Sequence, residues 1–467
     1  MMGLQKNVKK AAELIKRHDY ARVISHYDAD GITAAGIIST ALLRSGIQFH
    51  TTIVSKLDRA FIQGLDEELI IFCDMGTAQA ELIQQYLSER EVIILDHHVP
   101  LAPLPDVHTA STVLINPLCA NTTGKSKMDG ELGEICAAGL SYLLARRMSG
   151  TEKDNLDLAG LAIAGTLGDK LPLTNGINKM IVDEALQEGI ISVKKGLRLG
   201  DGKIRDAILF STDPYIPLAG KLEWVDALLG KVGIAGDKKV RDLSVEEEKR
   251  LADALLSLLR KYNAEIHESA LVGTTYRLNA EVIKNGLTFM RTVDACGRLG
   301  SPSIGIGLCL REEDLVEDAT SLYLKFQSKL VSELNRLERE ANSIKERQNL
   351  SYFFVQERGI TGVLAGIIAD YLYTGTIMVV VNTQERAEEG KTAETKISAR
   401  CNKRLLAKSK GIDLAKAMEQ ASRAVGGMGG GHPVAAGASI PSGSEELFLA
   451  ALDRILGEQR GRSQAPS

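Results

Sequence analysis

Aromatic side chains and an excess of one charge are both scarce in this sequence. Only 4% of the residues are Phe, Trp or Tyr, and a single residue is Trp. Extensive platforms for base stacking are therefore not expected. The 56 Lys and Arg residues are balanced by 60 Asp and Glu residues, for a formal net charge of −4. This balance excludes a wholly basic coat for nucleic acid, but not a protein that holds DNA or RNA in a local basic groove.

Long apolar runs and paired cysteines are absent as well. No stretch approaches the roughly 18 unbroken apolar residues that a membrane-spanning helix needs. The start of the chain lacks the apolar core and the cleavage site of a signal peptide, so neither a membrane contact nor export is expected. The cysteines are scattered without a CxxC pair, which is typical of reduced thiols in a cytoplasmic protein. They are Cys73, Cys119, Cys136, Cys296, Cys309 and Cys401.

The chain of 467 residues is long enough for about three domains of ordinary size. Its first 170 residues alternate short β-branched runs with helical patterns. This alternation predicts right-handed crossovers and an α/β fold with a doubly wound, mostly parallel sheet. In such sheets ligands bind beyond the carboxyl ends of the strands.

The rest of the chain predicts an inserted helical module and a second, smaller α/β domain. Residues 244–268 form an amphipathic pattern that opens with a possible capping box, Ser244 and Glu247. A second helical pattern from Asp318 to Gln348 is interpreted as a linker helix, because its apolar seam is too short and irregular for a coiled coil. The predicted division is a catalytic domain, an inserted and partly helical module, a return segment with the linker helix, and a substrate-binding domain. Their boundaries are 1–189, 190–290, 291–347 and 348–467.

Acidic and His residues follow several of the predicted strands of the first domain. Carboxylates and imidazoles gathered at one sheet edge repel each other and lose hydration unless a cation lies among them. Asp oxygens mixed with His nitrogens suit Mn²⁺ or Mg²⁺ and would also accept Zn²⁺. The residues are His26, Asp28 and Asp30 after the first strand, then Asp74, then Asp96, His97 and His98, and finally Asp169 after an apolar helix.

Each of these segments also has an ordinary structural explanation when it is taken alone. An Asp after a strand is often a turn-former or a helix cap, and Asp169 could simply end its helix. Two adjacent His residues beside Asp96 have no comparable structural use. The joint occurrence favours a pair of ions about 3.5–4 Å apart that share one carboxylate and act on a phosphate ester.

The order HxDxDG, strand-end Asp, DHH and GD resembles the motif series of the DHH phosphoesterase superfamily. A second resemblance lies far along the chain, where the sequence GGGHPVAAG is similar to the signature of the DHH-associated domain. The segment VDACGRL resembles the NAxGR motif of RecJ nucleases, although Asp294 replaces the usual Asn. The whole pattern is most similar to archaeal RecJ-like exonucleases, the group that includes the GINS-associated nuclease. Residues 190–290 would occupy the place of an insertion found in archaeal members.

The resemblance implies a role for each acidic or His residue. His26 and Asp28 match ligands of one metal ion, and Asp74 matches the carboxylate that bridges both ions. The second ion would be held by Asp30, His97 and Asp169. The catalytic assignments fall on His98, placed at the scissile phosphate or completing a metal shell, and on Asp96, which would orient the two histidines.

The resemblance also implies contacts to the substrate. Arg400 matches a residue that contacts a substrate phosphate, and Arg298 in the RecJ-like segment is a further candidate for a phosphate or base-edge contact. A glycine run can present backbone N–H groups to a phosphate, although it could also be a flexible linker. The proposed site residues in that run are Gly429, Gly430, Gly431 and His432. Lys396, Lys403, Arg404, Lys408 and Lys410 could extend a basic track or could form an ordinary solvated face.

The sequence therefore predicts an exonuclease with two divalent ions, Mn²⁺ first and Mg²⁺ second, that hydrolyses single-stranded nucleic acid in replication or repair. The resemblance implies DNA degraded from 5′ to 3′, and RNA stays open because no residue recognisably reads a 2′-hydroxyl. One alternative is a phosphodiesterase for short oligoribonucleotides or cyclic dinucleotides. Another is a replication scaffold that binds a partner such as the GINS complex, with catalysis secondary.

Overall fold

The computed structural model describes residues 2–100, 111–119, 134–151, 154–261, 268–340, 342–383, 393–408 and 411–462. Its contacts divide the chain into two units. Unit 1 contains residues 1–196 and 274–323, and unit 2 contains residues 197–273 and 324–467. The domain boundaries predicted from the sequence stay a prediction.

Helices and strands alternate over residues 2–95, as the sequence predicts, and three α-helices follow one another over residues 137–187. In order the elements are α1 (Met2–Ile15), β1 (Tyr20–His26), α2 (Ala29–Arg44), β2 (Gln48–Val54), α3 (Arg59–Gln63), β3 (Leu69–Cys73), α4 (Ala80–Tyr86), β4 (Glu91–Leu95), β5 (Thr112–Ile115), α5 (Ala137–Met148), α6 (Ala159–Gly168), α7 (Gly176–Gln187) and β6 (Ile191–Leu197).

The middle of the chain is mainly helical. Its elements are α8 (Ile204–Leu209), α9 (Leu222–Val232), α10 (Val245–Lys261), α11 (Glu268–Leu271), β7 (Val272–Leu278), α12 (Gly286–Arg298), α13 (Pro302–Cys309) and α14 (Val316–Arg339). The predicted capping box is present at the start of α10, since Glu247 N–H donates to Ser244 Oγ at 3.2 Å and Ser244 N–H donates to Glu247 Oε2 at 2.8 Å. The helical pattern predicted to reach residue 268 ends at Lys261, and residues 262–267 lie outside the described residues.

A second group of strands and helices completes the chain. These elements are β8 (Lys345–Glu346), β9 (Ser351–Val355), α15 (Thr361–Ile367), β10 (Met378–Asn382), β11 (Glu394–Arg400), α16 (Lys403–Lys408), α17 (Leu414–Ala424), β12 (Met428–His432), β13 (Ala435–Pro441) and α18 (Glu445–Arg462). The predicted linker helix α14 ends at Arg339, nine residues before the predicted end at Gln348, because β8 begins within the predicted span.

Unit 1 is built on a five-stranded sheet in the order β2-β1-β3-β4-β5, and every neighbouring pair is parallel. Alternate residues of the strands enter two separate apolar cores. Ile71 and Ile93 pack with α1, α2 and α5, whereas Phe72 and Ile94 pack with α3 and α4. Helices therefore cover both faces, as expected for a doubly wound sheet. The predicted fold class is confirmed.

The strand order fixes where the ligand site of unit 1 should lie. In this sheet β2 lies on one side of β1, and β3, β4 and β5 are added on the other side. The strand order therefore reverses between β1 and β3, and a ligand crevice forms between the carboxyl ends of these two strands. The residues that follow these two strands are His26 to Asp30 and Asp74.

Unit 2 contains a six-stranded mixed sheet in the order β12-β13-β11-β10-β9-β8. β9 and β10 are parallel, and the other neighbouring pairs are antiparallel. Its core lies against α17 and α18, and α8 to α11 enclose a separate small core around Leu251 and Leu255. Among the helices that the structure describes, none is both long enough and apolar enough to cross a membrane.

Candidate metal centre

The first group of site residues lies where β1 turns into α2. His26 is the last residue of β1, and Asp28 caps α2 by accepting the Gly31 N–H at 3.1 Å. A Cβ at Gly31 would lie 2.4 Å from the His26 carbonyl oxygen, so only glycine permits this tight turn. Asp30 lies in the first turn of α2 and is 1% exposed.

Asp74 follows β3 in a backbone conformation that non-glycine residues rarely adopt. Its φ is +59°, and its N–H donates to the Leu95 carbonyl at 2.8 Å. The left-handed region costs a non-glycine residue about 1–3 kcal/mol and persists only where the surroundings require it. Here it turns a carboxylate with 4% exposure towards the residues that follow β1 and β4.

Asp96 holds the turn that follows β4. Its Oδ1 accepts the His97 and His98 backbone N–H groups at 2.8 and 3.2 Å and His98 Nδ1–H at 2.7 Å, while Oδ2 accepts the Thr77 N–H at 2.9 Å. Burial raises the pKa of Asp96, but the neighbouring His98 and these donors outweigh burial and hold the pKa well below its ordinary value. Asp96 Oδ1 therefore orients the two histidines, and Asp96 Oδ2 ties the turn to Thr77.

Asp169 approaches the same place from the end of α6, where it is the C-cap residue. His97 Nε2 lies 3.2 Å from Asp169 Oδ2, 3.3 Å from Asp74 Oδ1 and 3.7 Å from Asp30 Oδ2. The Asp169 Oδ2 atom is buried and has no hydrogen-bond partner within the described residues. A buried carboxylate oxygen without a donor is the environment that a cation would satisfy.

Asp74 belongs to two groups of metal-ligating side chains. One group consists of Asp74 with His26 and Asp28, and the other consists of Asp74 with Asp30 and His97. Within each group the ligand atoms lie within 4.8 Å of one another. Asp74 also forms a third such group with Asp96 and His98, although the Asp96 oxygens already accept hydrogen bonds.

The charges of this cluster are not balanced by the protein alone. Burial and then the nearby Asp74 carboxylate raise the pKa of Asp30 to about 7, even though the Ala137 and Ala138 N–H groups at the start of α5 each donate to it at 2.8 Å. Burial and the Asp30 charge also raise the pKa of Asp169 well above its ordinary value. Crowded oxygen and imidazole donors with an unsatisfied buried oxygen fit a divalent metal ion.

The same crowding also raises the pKa values of the histidines. Burial lowers the pKa of His26, but the Asp28 and Asp74 carboxylates outweigh burial and hold it well above its ordinary value. Burial likewise lowers the pKa of His97, and Asp74, Asp169 and Asp30 together raise it well above its ordinary value. Without a metal ion the two imidazoles therefore carry protons that partly neutralise the carboxylates.

Asn116 is a site residue that the sequence analysis missed. It follows β5 and is 2% exposed. Its Nδ2 donates to the His98 carbonyl and to Thr77 Oγ1, both at 3.0 Å, and its Oδ1 accepts the Leu118 N–H at 2.9 Å. The available signal was the short β-branched run TVLI ahead of this Asn, which was not identified as a fifth strand.

The predicted substrate residue Arg298 lies in unit 1 beside this centre. It is the last residue of α12, and its guanidinium carbon lies 5.6 Å from the centre of the Tyr27 ring, between His26 and Asp28 in sequence. Its Nε–H donates to Asp294 Oδ2 at 2.5 Å. A Cβ at Gly297 would lie 1.7 Å from the Tyr27 carbonyl oxygen, so glycine allows α12 to contact this turn directly.

The other predicted substrate residues lie together in unit 2. Arg400 ends β11 and His432 ends β12, and both are registered against Ala435 at the start of β13. Arg400 Nη1 donates to the carbonyls of Ala399 at 2.9 Å and Ala436 at 3.1 Å. Of the possible basic track, Lys410 and the Lys408 side chain lie outside the described residues.

The glycine run forms the edge strand β12. The predicted site residues Gly429, Gly430 and Gly431 are neither a flexible linker nor an irregular loop. A Cβ at Gly429 would lie 2.7 Å from the Met418 carbonyl oxygen, and one at Gly431 would lie 2.6 Å from the Ala435 carbonyl oxygen. Close packing against α17 and β13 therefore requires glycine at these two positions.

Comparison with known proteins finds one matching family domain in the first half of the chain and another in the second half. The DHH family, N-terminal domain, matches residues 21–166, and the DHHA1 domain matches residues 349–458. The uncharacterized protein MJ0831 of Methanocaldococcus jannaschii is 30% identical over 483 residues, which cover 99% of this chain and 100% of that protein.

Two further proteins share the fold. The single-stranded-DNA-specific exonuclease RecJ of Thermus thermophilus is 26% identical over 56% of this chain, and the match spans only 38% of RecJ. Its crystal structure in complex with Mn²⁺ aligns with a TM-score of 0.58 at 19% identity and covers 97% of this chain and 55% of RecJ. CDC45 from Entamoeba histolytica aligns with a TM-score of 0.63 at 12% identity and covers 97% of this chain and 99% of CDC45.

Proposed function

The chain belongs to the RecJ-like proteins of the DHH family, and on this basis we propose that it is an exonuclease that uses two divalent metal ions. The proposed substrate is single-stranded nucleic acid, with DNA degraded from 5′ to 3′ in replication or repair. RecJ of Thermus thermophilus bears the name of a single-stranded-DNA-specific exonuclease and has been crystallised with Mn²⁺. These names motivate the proposed substrate and the proposed ion.

The observation that carries the proposal is the position of Asp74. Its carboxylate is shared by the group with His26 and Asp28 and by the group with Asp30 and His97. A carboxylate shared by two ligand sets is the arrangement that holds two ions a few ångströms apart. Asp169 would complete the second set, because its buried Oδ2 lies 3.2 Å from His97 Nε2.

Two bound ions would supply positive charge that acidifies water and stabilises the phosphoryl transition state. The chain's own residues orient the groups around the phosphate. Asp96 holds a proton on His98 Nδ1, which leaves Nε2 as the ring nitrogen through which His98 would act on a phosphate oxygen. Asn116 donates to the His98 carbonyl, so hydrogen bonds hold both the backbone and the ring of His98.

Each unit carries residues that are proposed to bind the substrate. Arg298 would contact a phosphate beside the metal centre of unit 1. In unit 2 Arg400 and His432 lie at strand ends on either side of β13, and the edge strand with Gly430 would present backbone N–H groups to the nucleic-acid backbone. GINS or another replication complex stays a possible partner.

The proposal is tested with one oligonucleotide sequence labelled at either end. We expect the 5′ label of single-stranded DNA to appear at once as a mononucleotide, and the 3′ label to appear in progressively shorter strands. Both products should require Mn²⁺ or Mg²⁺ and disappear with a chelator. RNA of the same sequence and a dinucleotide are assayed in parallel.

Each alternative has its own outcome in this assay. Rapid loss of the dinucleotide while long strands stay intact would favour a small-substrate phosphodiesterase over the exonuclease. Metal binding without cleavage of any substrate, together with capture of a replication complex, would favour the scaffold. Degradation that starts from the 3′ label would reverse the proposed direction.

A further inference from the structure

An ion pair on α12 lies directly beside the metal centre. Arg298 Nε and Asp294 Oδ2 are 2.5 Å apart, one helical turn from each other, and both side chains are 17% exposed. The guanidinium also stacks on Tyr27, whose ring centre is 4.4 Å from that of His26. Burial lowers the pKa of Arg298, but the Asp294 carboxylate outweighs burial and raises it above its ordinary value. The arginine is therefore charged and held in one orientation.

Only part of the guanidinium is used by this pair. The Nε–H donates to Asp294, and within the described chain no acceptor contacts the two terminal NH₂ groups. Neither terminal nitrogen is among the buried polar atoms without a partner, so both can reach solvent. A planar guanidinium whose two amino groups have no acceptor within the described chain is suited to bind phosphate oxygens.

The Asp294 carboxylate changes which phosphate groups Arg298 binds more tightly. A phosphodiester carries one negative charge, whereas a terminal phosphomonoester carries about 1.5 to 2 at neutral pH. Asp294 cancels much of the Arg298 charge and repels a second negative charge more than a first. An unpaired arginine should prefer a doubly charged phosphate to a singly charged phosphodiester. Pairing with Asp294 should weaken that preference.

We propose that Asp294 is a specificity-determining residue that acts through Arg298 to favour the phosphodiester that is to be cleaved over the phosphomonoester that cleavage leaves at the new 5′ end of the strand. This inference rests on the proposed exonuclease function, because that reaction turns the singly charged scissile diester into the doubly charged 5′-phosphate of the shortened strand. Asp294 thereby favours release of the new 5′ end from the metal centre, and a nucleoside 5′-monophosphate is the soluble probe for this phosphomonoester.

The test is Asp294→Asn, which keeps the shape and a hydrogen-bond acceptor for Arg298 Nε–H but removes the charge. KM for single-stranded DNA should fall about threefold, and the inhibition constant of a nucleoside 5′-monophosphate should fall about tenfold. The affinity for Mn²⁺, measured by calorimetry, should stay unchanged. Equal changes in the two constants, no change in either, or a matching change in Mn²⁺ affinity would overturn the proposal.

Two further variants separate this role from a structural one. Asp183→Asn removes the acid of another i,i+4 pair in unit 1, with Lys179 on α7, and should leave both constants unchanged. On an Arg298→Gln background, Asp294→Asn should lose its selective effect, because no guanidinium remains for it to modulate. A selective effect that persists there would refute the inference while leaving the exonuclease proposal intact. A wild-type protein that cleaves no strand would instead remove the proposed function.

Discussion

The two sheets of this protein bring their polar residues together by different means. In unit 1 the strands are parallel, so β1, β3, β4 and β5 all deliver the residues that follow them to one edge. In unit 2 β11 and β12 both run antiparallel to β13, so Arg400 and His432 flank Ala435 from its two sides. The first arrangement collects charged residues after β1, β3 and β4 and the neutral Asn116 after β5, and the second aligns two strand ends.

This difference determines which property of a residue matters in each unit. At the edge of unit 1 the residues must be acids and imidazoles, because their charge and ligand atoms hold the centre together. On β12 the requirement at Gly429 and Gly431 is small volume, because neighbouring backbone atoms occupy the space of a side chain. Substitutions should therefore act through charge in unit 1 and through packing in unit 2.

The largest effect is expected from Asp74→Asn. Loss of the shared carboxylate charge should lower metal-dependent cleavage about thousandfold or more, the rate equivalent of about 4 kcal/mol. The rate is measured on labelled single-stranded DNA at saturating Mn²⁺. Asp66→Asn, an exposed acid of the same unit, is the control and should keep the wild-type rate. A wild-type rate in Asp74→Asn would show that the centre is assigned wrongly.

The next largest effect is expected from Gly429→Ala in unit 2. The added Cβ would lie 2.7 Å from the Met418 carbonyl and 2.8 Å from Ser422 Oγ, and overpacking of this kind costs about 1–3 kcal/mol. Chemical denaturation should report that loss, with Mn²⁺ affinity unchanged. Gly366→Ala is the matched control, because nothing lies within 4 Å of its added Cβ. Equal stability of the two variants would contradict the packing explanation.

A smaller effect is expected from pH on the metal-free protein. Burial and Asp74 raise the pKa of Asp30 from 3.8 to about 7. The folded chain binds this proton more tightly than the unfolded chain, so the stabilisation is complete below about pH 4 and is lost as pH rises through about 7. The raised pKa values of His26 and His97 act in the same direction. Melting temperature in a chelator should therefore fall across this range.

Asp30→Asn identifies the source of that pH dependence. Without the titrating carboxyl, the fall of the melting temperature between about pH 4 and pH 7 should be shallower than in the wild type. Mn²⁺ should stabilise the wild type more at the upper end of the range, where its ligands have lost their protons. A wild-type protein whose metal-free melting temperature rises steadily across this range would contradict the account.

The smallest effect is expected from Asn116→Ala. Loss of the donors to the His98 carbonyl and to Thr77 should loosen the turn that carries His97 and His98, and supporting groups of this kind contribute about tenfold or more to activity. The variant should lower kcat and leave KM for the strand nearly unchanged. Asn175→Ala, an exposed Asn whose side chain makes no cap hydrogen bond to α7, should leave both unchanged.

The sequence predicted unit 1 better than unit 2 for a physical reason. In a parallel sheet the residues at the carboxyl ends of all strands lie at one edge. His26, Asp74 and His97 could therefore be grouped from the sequence, because each lies at the end of a predicted strand. Asn116 was missed because a four-residue strand is too short to identify from its pattern. The packing requirement at Gly429 could not be predicted, since no pattern in the sequence shows that α17 approaches this residue. The pairing of Asp294 with Arg298 follows from their i,i+4 spacing on α12, but the position of the pair beside Tyr27 depends on how α12 packs.

The central claim is that Asp74 is shared by two metal ions, and anomalous diffraction from crystals soaked in manganese tests it directly. The account predicts two peaks, both within ligand distance of the Asp74 carboxylate. One should also contact His26 and Asp28, and the other should contact Asp30, His97 and Asp169. No peak at this edge of the sheet, or a single ion that does not contact Asp74, would contradict the account.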